Sequence, residues 1–599
     1  MASENPSPLS HPFSNIALCL SGGGYRAASY SLGTLSYLQH LQYNGKSLLE
    51  NVITISTVSG GTIPGIRYAL DLYQGRSFED TYRLLRELLP KTDVIEESLV
   101  LLNDKNAWED GLKRRNLINS ASKVYQKLLF DEQDMSALIS PEKPVHLKNM
   151  FFNATEFDHG SAFRFMSTEK NMRFGNGYVF SRKGYGEPTG YLKAEEIAEI
   201  KLGDVMAASS CFPGGFEPIA FPDDFIRDRN SPLAHRINKE RREKIGSLEN
   251  KLKQTKNEFE KAKVKYDIEQ ESDFFNPVTG LMDGGIYDNQ GTSSVLALDR
   301  GHKEKPYHQL IIVSDVASYF IDDYTFDKAP SKGFLSRFSY RSAKKWLTVF
   351  IAALFVSALG TAYFGYPVPA AVLGTLFALV GGASRLLFSG IHNIEEGLPS
   401  FAQKYLKYFR SLKWGLMRRL IKDRISSVML MTSEIFLKSI RSLHQTILYS
   451  DPQWKDRRVY SEIYFLQQQV RSGKIPADSP LAKTANLVRL MPTTLWFTAQ
   501  ENDQQMMDHL IASGQATLCY KLIEYIDQLL DKAIDDSPAN EEEDDEALER
   551  GTAHEHLMQK TIINEQEKTN LLTLRQTLEE DRTKFLQDPL WLIKEPSYL

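Results

Sequence analysis

The chain of 599 residues has the composition of a globular protein, with 42% hydrophobic and 25% charged residues and a formal net charge of -5. This composition excludes a disordered or fibrous chain, and the length allows one large core with additions. Cys19, Cys211 and Cys519 lie far apart without metal-ligand spacing, which argues against a zinc site or a disulfide framework and indicates a reducing compartment. No basic region followed by an apolar stretch begins the chain, so we expect no secretory signal and a main domain in the cytoplasm.

Two glycine-centred segments near the N-terminus each follow an apolar run that is typical of a buried strand. The strand predicted at 15–20 leads into Ser21-Gly22-Gly23-Gly24-Tyr25-Arg26, and the strand predicted at 51–56 leads into Thr57-Val58-Ser59-Gly60-Gly61. After each glycine cluster the pattern becomes helical. A serine on such a turn stands at the N-terminus of a helix, where backbone N–H groups stabilise a developing negative charge. The pair therefore predicts an oxyanion hole in the first segment and a nucleophile, Ser59, in the second.

The surroundings of Ser59 favour a nucleophile elbow, with one departure. A β-branched strand precedes the serine, Gly61 permits a crowded turn, and residues 63–73 have helical spacing. Two positions before the serine, however, stands Thr57, where an elbow normally has glycine because strand and helix approach closely. Thr57 is therefore the position at which the sequence departs from a typical elbow.

A serine hydroxyl is a weak nucleophile and needs a base to take its proton. Asp283, in Leu281-Met282-Asp283-Gly284-Gly285, is the best candidate, because it follows a strand-like run and the two glycines let the backbone pass close to another loop. On its own an Asp-Gly pair is an ordinary turn. His159 and His308 lie outside glycine-rich loops, and a lone histidine is more often structural. We therefore predict a Ser59–Asp283 dyad without histidine.

A highly charged stretch from 235 to 271, almost free of glycine and proline, predicts a long exposed helix or helical hairpin. Its apolar positions recur every three or four residues, as in a coiled-coil seam. They are Ile245, Leu248, Leu252, Thr255, Phe259, Ala262 and Tyr266. We expect an insertion that packs on a neighbour, and self-association or a protein partner through it.

An apolar hairpin is predicted at 346–388. No residue from Trp346 to Ser384 is charged, and a Gly-Tyr-Pro-Val-Pro turn at 365–369 divides the run into two limbs near the length of about 20 residues that spans a bilayer. Lys344 and Lys345 precede the first limb and Arg385 closes the second, so both ends belong on the cytoplasmic side. A buried core hairpin and a shorter re-entrant insertion are the alternatives.

The C-terminal third is predicted to be mostly helical. Residues 397–530 form a helical region whose basic part, up to about 440, lies either on anionic headgroups or in solvent. Residues 535–549 are acidic and predict a flexible linker. The tail at 552–599 regains helical character, and we assign it a separate interaction role through its apolar positions, which include Leu571, Leu572, Leu574 and Leu578.

The motifs together resemble the blocks of patatin-like phospholipases of the bacterial type. The three main blocks are residues 21–27, the 57–61 elbow and Asp283-Gly284-Gly285. Further similarity lies at Met206-Ala207-Ala208-Ser209-Ser210-Cys211-Phe212-Pro213 and Asn153-Ala154-Thr155, and more weakly at 309–315 and 492–495. The resemblance implies a hydrolase domain over 13–530 with insertions, built as a three-layer α/β/α sandwich. The alternation of strand and helix up to Gln126 agrees with that fold independently.

The resemblance implies a membrane-associated lipid acyl hydrolase, a carboxylic ester hydrolase of the phospholipase A or lysophospholipase type. Asp283 would assist the attack of Ser59 on an ester and then activate water, while Gly22, Gly23 and Gly24 would donate N–H groups to the oxyanion. Arg26 is similar to the family's basic residue and either contacts substrate phosphate or holds the loop. The substrates would be membrane phospholipids or other acyl lipids, reached from the cytoplasmic side, and no metal, cofactor or nucleic acid is implied.

Two other functions compete with the hydrolase. The segment Gly22-Gly23-Gly24-Tyr25-Arg26-Ala27 fits a relaxed nucleotide-binding pattern, but no carboxylate follows the second strand where a ribose partner is expected. A non-catalytic membrane scaffold would keep the fold and act through the insertion and the tail. The intact serine and aspartate argue against a scaffold, whereas Thr57 argues for it.

Overall fold

The computed structural model describes residues 11–108, 113–139, 141, 143–157, 160–168, 172–174, 196, 199–227, 230–255, 257, 260–265, 279–302, 306–317, 336, 338–396, 411–535 and 564–594. His159, most of the predicted acidic linker and the first part of the predicted tail lie outside these residues. The chain divides into two compact units. The first comprises Met1–Phe320 and Ile435–Leu599, and the second comprises Ile321–Glu434.

Strands and helices alternate through much of the first unit. The strands are β1 (Ile16–Leu20), β2 (Gln42–Tyr43), β3 (Lys46–Ser47), β4 (Val52–Val58), β5 (Asn149–Glu156), β6 (Ser161–Ser167), β7 (Met172–Phe174), β8 (Ile219–Phe221), β9 (Thr279–Asp283), β10 (Leu310–Asp315) and β11 (Arg458–Glu462). The helices, in chain order through both units, are α1 (Gly24–His40), α2 (Thr62–Tyr73), α3 (Phe78–Leu88), α4 (Val94–Asn103), α5 (Leu117–Leu129), α6 (Leu202–Ser210), α7 (Pro232–Gln254), α8 (Gly285–Asp288), α9 (Thr292–Arg300), α10 (Tyr340–Tyr363), α11 (Pro367–Glu396), α12 (Trp414–Leu430), α13 (Leu437–Ser450), α14 (Phe465–Arg471), α15 (Pro480–Val488), α16 (Ala499–Asp503), α17 (Met506–Asp535), α18 (Glu565–Gln587) and α19 (Trp591–Lys594).

Among the described residues, nine strands form one mixed sheet. Its main path runs β11-β10-β1-β4-β5-β6-β7, and the pairs from β11 to β5 are parallel. Strands β6 and β7 continue antiparallel, while β9 pairs antiparallel with β5 and with β8. Both strands predicted next to the glycine segments are present, as β1 and β4.

Helices pack on both faces of this sheet, because its strand residues alternate between two hydrophobic clusters. Ile16, Leu18 and Leu20 of β1 belong to a large cluster that includes side chains of α1 and α17. Ala17 and Cys19 point the other way, into a smaller cluster with side chains of α9 and α13. The predicted mixed α/β core is therefore confirmed, together with a helical C-terminal region.

The topology brings the ends of two strands together. Strand β5 is longer than its neighbour β4, so that Val58, the last residue of β4, pairs with Asn153. The next residue of β5, Ala154, pairs with Asp283, the last residue of β9, which runs in the opposite direction. The ends of β4 and β9 therefore meet on the same side of β5, and the loops that follow them begin next to each other.

The C-terminal tail forms part of the first unit. In α18, Leu571, Leu574 and Leu578 are buried in the large cluster, whereas Leu572 is exposed. The Tyr37 hydroxyl of α1 donates to Asp581 Oδ2 at 3.1 Å. The prediction that Leu571, Leu574 and Leu578 serve a separate interaction role is thus corrected, because they pack inside their own chain, whereas an interaction role for the rest of the tail stays a prediction.

The charged insertion predicted at 235–271 begins as a helix but does not continue as the single seam that was predicted. Helix α7 ends at Gln254, and Thr255 has extended backbone angles, so the predicted seam is interrupted there. Beyond the break Val264 is buried while Ala262 is exposed, so the seam register is wrong in this part. Phe259 and Tyr266 lie outside the described residues.

The second unit contains the apolar hairpin. Helices α10 and α11 pack against each other around a turn in which Gly365 has a φ of 80°. Two segments, Tyr340–Tyr363 and Pro367–Arg385, are long and apolar enough to cross a membrane, judged by length and composition. No residue of α10 is buried, which is not what the alternative of a core hairpin predicts.

Candidate active site

Ser59 occupies a tight turn between β4 and α2. Its φ of 48° lies in the left-handed region, which a non-glycine residue adopts when the surrounding structure holds it there. A 3₁₀ turn, Ser59–Gly61, leads directly into α2. A Cβ atom at Gly61 would lie 2.6 Å from the Ser21 carbonyl oxygen, so the two glycine-centred segments pack backbone against backbone. This is the geometry of a nucleophile elbow.

Thr57 is accommodated by a glycine on the helix side of the elbow. A Cβ atom at Gly65 of α2 would lie under 3.0 Å from the Thr57 methyl carbon, closer than real Cβ contacts come. The Thr57 hydroxyl oxygen lies 2.9 Å from the Thr62 hydroxyl oxygen, within hydrogen-bonding distance. Strand and helix thus approach closely because position 65, rather than position 57, carries no side chain.

Asp283 lies beside Ser59, and its pKa is shifted towards neutral pH. Burial raises the pKa of Asp283 to about 6, although hydrogen bonds from the Ser59 hydroxyl and from the Gly285 N–H lower it. The Gly285 N–H donates to Asp283 Oδ1 at 2.7 Å. The Ser59 and Asp283 side chains are 8% and 6% exposed, so their interaction is largely shielded from water. The structure therefore brings the two predicted residues together.

Ser209, at the end of α6, ties the elbow to the Asp283 loop. Its Oγ accepts the Ser59 N–H at 2.9 Å and donates to the Asn153 carbonyl at 2.8 Å. Its own carbonyl accepts the Gly284 N–H at 3.2 Å. The sequence pointed to the small-residue segment around Ser209 but not to this role, since the three partners lie far apart along the chain.

The glycine loop offers fewer donors than the sequence predicts. The Gly22 N–H already donates to the Asn289 carbonyl at 2.9 Å, which corrects its predicted place in the oxyanion hole. Gly23 caps α1 with a φ of 147°, and Gly24 begins the helix with a φ of 58°. No described residue accepts a hydrogen bond from the N–H of Gly23 or Gly24, and such groups at a helix start suit an anionic oxygen.

Arg26 holds a neighbouring loop. Its guanidinium Nη1 donates to the Met491 carbonyl at 2.9 Å, and Nη2 donates to Thr493 Oγ1 at 3.4 Å. The Tyr25 N–H donates to the Thr494 carbonyl at 2.8 Å, in the same loop. Of the two predicted roles, these contacts favour loop support.

Asn289 is a site residue that sequence reasoning missed. A Cβ atom at either Gly22 or Gly285 would lie 2.5 Å from Asn289 Oδ1. The side chain of Asn289 therefore lies between the glycine loop and the Asp283 loop, in space that two glycines leave open. Its position in the sequence could have indicated this, because Asn289 follows Asp283-Gly284-Gly285 within the same short segment.

His308 belongs to a different network. It is fully buried, with Nδ1 2.8 Å from Asp299 Oδ1 and Nε2 2.7 Å from Thr54 Oγ1. Burial lowers the pKa of His308. Thr54 lies about 16 Å from Ser59 along β4, at about 3.3 Å per residue, so this histidine is structural. Within the described part of the chain, no group of three or more His, Cys, Asp or Glu side chains could hold a metal ion.

The motifs lie in a region of the chain that resembles a known protein family. The family model of patatin-like phospholipases matches residues 18–296. Among solved structures, the chain is similar to the human GIVD cytosolic phospholipase A2, with 13% identity and a TM-score of 0.29 over 50% of this chain and 45% of that chain. The chain thus spans less than half the length of that protein, and no curated protein matches it in sequence. The predicted resemblance to patatin-like phospholipases is therefore confirmed over residues 18–296, the part of the chain that contains the glycine loop, Ser59 and Asp283.

Proposed function

We propose that this protein is a membrane-associated serine lipid acyl hydrolase, of the phospholipase A or lysophospholipase type, built on a three-layer α/β/α patatin-like sandwich. The observation that carries the proposal is the Ser59 elbow beside buried Asp283, whose pKa the Ser59 hydroxyl lowers, inside a region that matches the patatin-like phospholipase family. The proposed activity is hydrolysis of acyl esters, which degrades lipids.

In the proposed reaction, Ser59 Oγ attacks the ester carbonyl carbon while its proton passes to Asp283. The proton then goes to the leaving alkoxide, which departs and leaves an acyl-enzyme. Water then attacks the carbonyl carbon of the acyl-enzyme and gives a proton to Asp283. Asp283 passes this proton to Ser59 Oγ as the fatty acid leaves, which restores the free serine. A base with a pKa of about 6 suits this cycle, because it is ionised at neutral pH yet accepts a proton readily.

The negative charge that develops on the carbonyl oxygen would be stabilised by the N–H groups of Gly23 and Gly24. Removal of one such donor typically costs about 3 kcal/mol of transition-state stabilisation. The conformation of the loop supports this role, because the φ angles of both glycines suit residues without a side chain. Asn289, beside the loop, lies within the same small region.

We place the hydrolase on the cytoplasmic side of a membrane, anchored by α10 and α11. Their length, their apolar composition and the basic residues at the ends of the hairpin support this part of the proposal. The scaffold alternative loses its supporting observation, because Gly65 makes room for Thr57 in the elbow.

The test is fatty-acid release from defined phospholipids, lysophospholipids and acylglycerols by the purified full-length protein. Ser59→Ala and Asp283→Asn should both abolish release. Ser247→Ala and Asp478→Asn, two exposed positions, are matched controls that should retain it. Full activity in Ser59→Ala would refute the mechanism, and no release by the wild-type protein from any of these lipids would favour the scaffold.

A further inference from the structure

The start of the apolar hairpin lies next to the start of α12 in the second unit. Ser339, just before α10, forms an antiparallel bridge with Lys413, just before α12. The Trp414 N–H donates to the Phe338 carbonyl at 2.7 Å. The start of α12 is thus fixed beside the start of α10, although the whole hairpin separates them in sequence. We call residues 338–345 and 411–419 the hairpin base.

The hairpin base carries positive charge and no acidic residue. Its cationic side chains, all exposed except the half-buried Arg419, are Arg341, Lys344, Lys345, Lys413, Arg418 and Arg419. Trp346 and Trp414 stand among them with 65% and 43% exposure. Exposed tryptophans beside lysine and arginine are typical of the level of lipid headgroups.

The opposite end of the hairpin has a different character. Its turn exposes Tyr363, Phe364 and Tyr366 and contains no charged residue. The uncharged part of α10, from Trp346 to Tyr363, is about 27 Å long at 1.5 Å per residue, which is close to the hydrocarbon thickness of about 30 Å. A hairpin of this length would place its charges in the headgroup layer of one leaflet only.

Helix α12 continues from the hairpin base without a buried residue. Ile421, Ile425 and Val428 are exposed and share one face at helical spacing. Lys422 and Arg424 add further positive charge, with one acidic residue, Asp423, between them. A basic helix with an exposed apolar face suits the boundary between headgroups and acyl chains.

We infer that the hairpin base binds the phosphates of anionic phospholipids in the leaflet through which the hairpin enters the membrane. Helix α12 would then lie along the surface of that leaflet. This inference rests on the proposed membrane association, and it adds a lipid class that the apolar helices alone do not select. Charge complementarity carries it, since each lysine or arginine near an anionic membrane strengthens binding by about fivefold.

The test is flotation of the full-length protein in a Ser59→Ala background, so that no lipid is hydrolysed. Vesicles of phosphatidylcholine alone are compared with vesicles that also contain phosphatidylglycerol, at low and high salt. We expect at least about tenfold stronger binding to the anionic vesicles, reduced by salt. Replacing Lys344, Lys345, Arg418 and Arg419 by Gln should remove this preference. The matched control replaces four exposed lysines of the charged insertion, Lys251, Lys253, Lys263 and Lys265, and should keep it.

The outcomes separate the inference from the proposed function. Equal binding to both vesicle types overturns the inference and leaves membrane association intact. Loss of the preference in the control variant also overturns it, because net charge alone would then explain the binding. Binding to neither vesicle type overturns both membrane association and the inference, while hydrolysis of a soluble ester still tests the catalytic part.

Discussion

The close contact between Thr57 and Gly65 predicts that Gly65→Ala destabilises the protein when residue 57 is threonine but not when residue 57 is glycine. Gly65→Ala places a methyl group about 1 Å inside normal contact distance from the Thr57 methyl carbon. Thr57 is buried and β-branched, so it cannot rotate away without losing its position beside Thr62. We expect a cost of about 1–3 kcal/mol from overpacking, which outweighs the gain of up to about 1 kcal/mol from replacing a helical glycine.

In a Thr57→Gly background the obstructing methyl group is absent, so the same Gly65→Ala change should be neutral or stabilising by up to about 1 kcal/mol. The assay is a double-mutant cycle on the purified protein, with the thermal midpoint and the initial rate of fatty-acid release measured for all four variants. The reasoning is refuted if Gly65→Ala has the same effect in both backgrounds, because the two positions would then be independent.

Three further predictions follow from the site. Ser209→Ala leaves the Ser59 N–H without its acceptor, so it should lower kcat by about tenfold to a hundredfold at nearly unchanged KM. The control is Ser210→Ala, which should have little effect because the Ser210 hydroxyl donates to the Met206 carbonyl instead. Equal losses of kcat in the two variants would contradict the role of Ser209. Because Asp283 must be ionised to act as the base and its pKa is about 6, kcat/KM should rise with pH up to about 6 and level off above it, and a flat profile between pH 5 and 7 would argue against Asp283. Arg26→Gln should reduce hydrolysis of phospholipids and neutral acylglycerols to the same degree, because Arg26 holds the loop at 491–494; a loss confined to phosphate-bearing lipids would show that it contacts the substrate instead.

The sequence located the chemistry of the site because that chemistry resides in short motifs. Ser59 and Asp283 each lie in a glycine-rich segment after a strand, which is legible without knowing the fold. What brings them together is not local: β5 extends past the end of β4 and pairs with β9, so that Val58 and Asp283 meet neighbouring residues of one strand. Ser209, which connects both loops, could not be assigned because its partners come from three separate elements.

The predictions that the structure corrects share one physical cause. Each depends on a tertiary contact, which the spacing of residues along the sequence does not reveal. The donor role of Gly22 failed because the acceptor of its N–H is the Asn289 carbonyl, distant in sequence. The spacing of Leu571, Leu574 and Leu578 showed an apolar face without showing that it packs in the core of the same chain, where α18 contacts α17. Thr57 looked unfavourable because its compensating residue, Gly65, lies in the following helix.

The central claim, that Asp283 activates Ser59 as a nucleophile, is tested most directly by the rate at which a fluorophosphonate labels the protein. The wild-type chain should gain one phosphonyl group, located by peptide mass spectrometry on Ser59. Asp283→Asn should label at least about a hundredfold more slowly, because the base that takes the serine proton is lost. Labelling at another residue, or an unchanged rate in Asp283→Asn, would contradict the account.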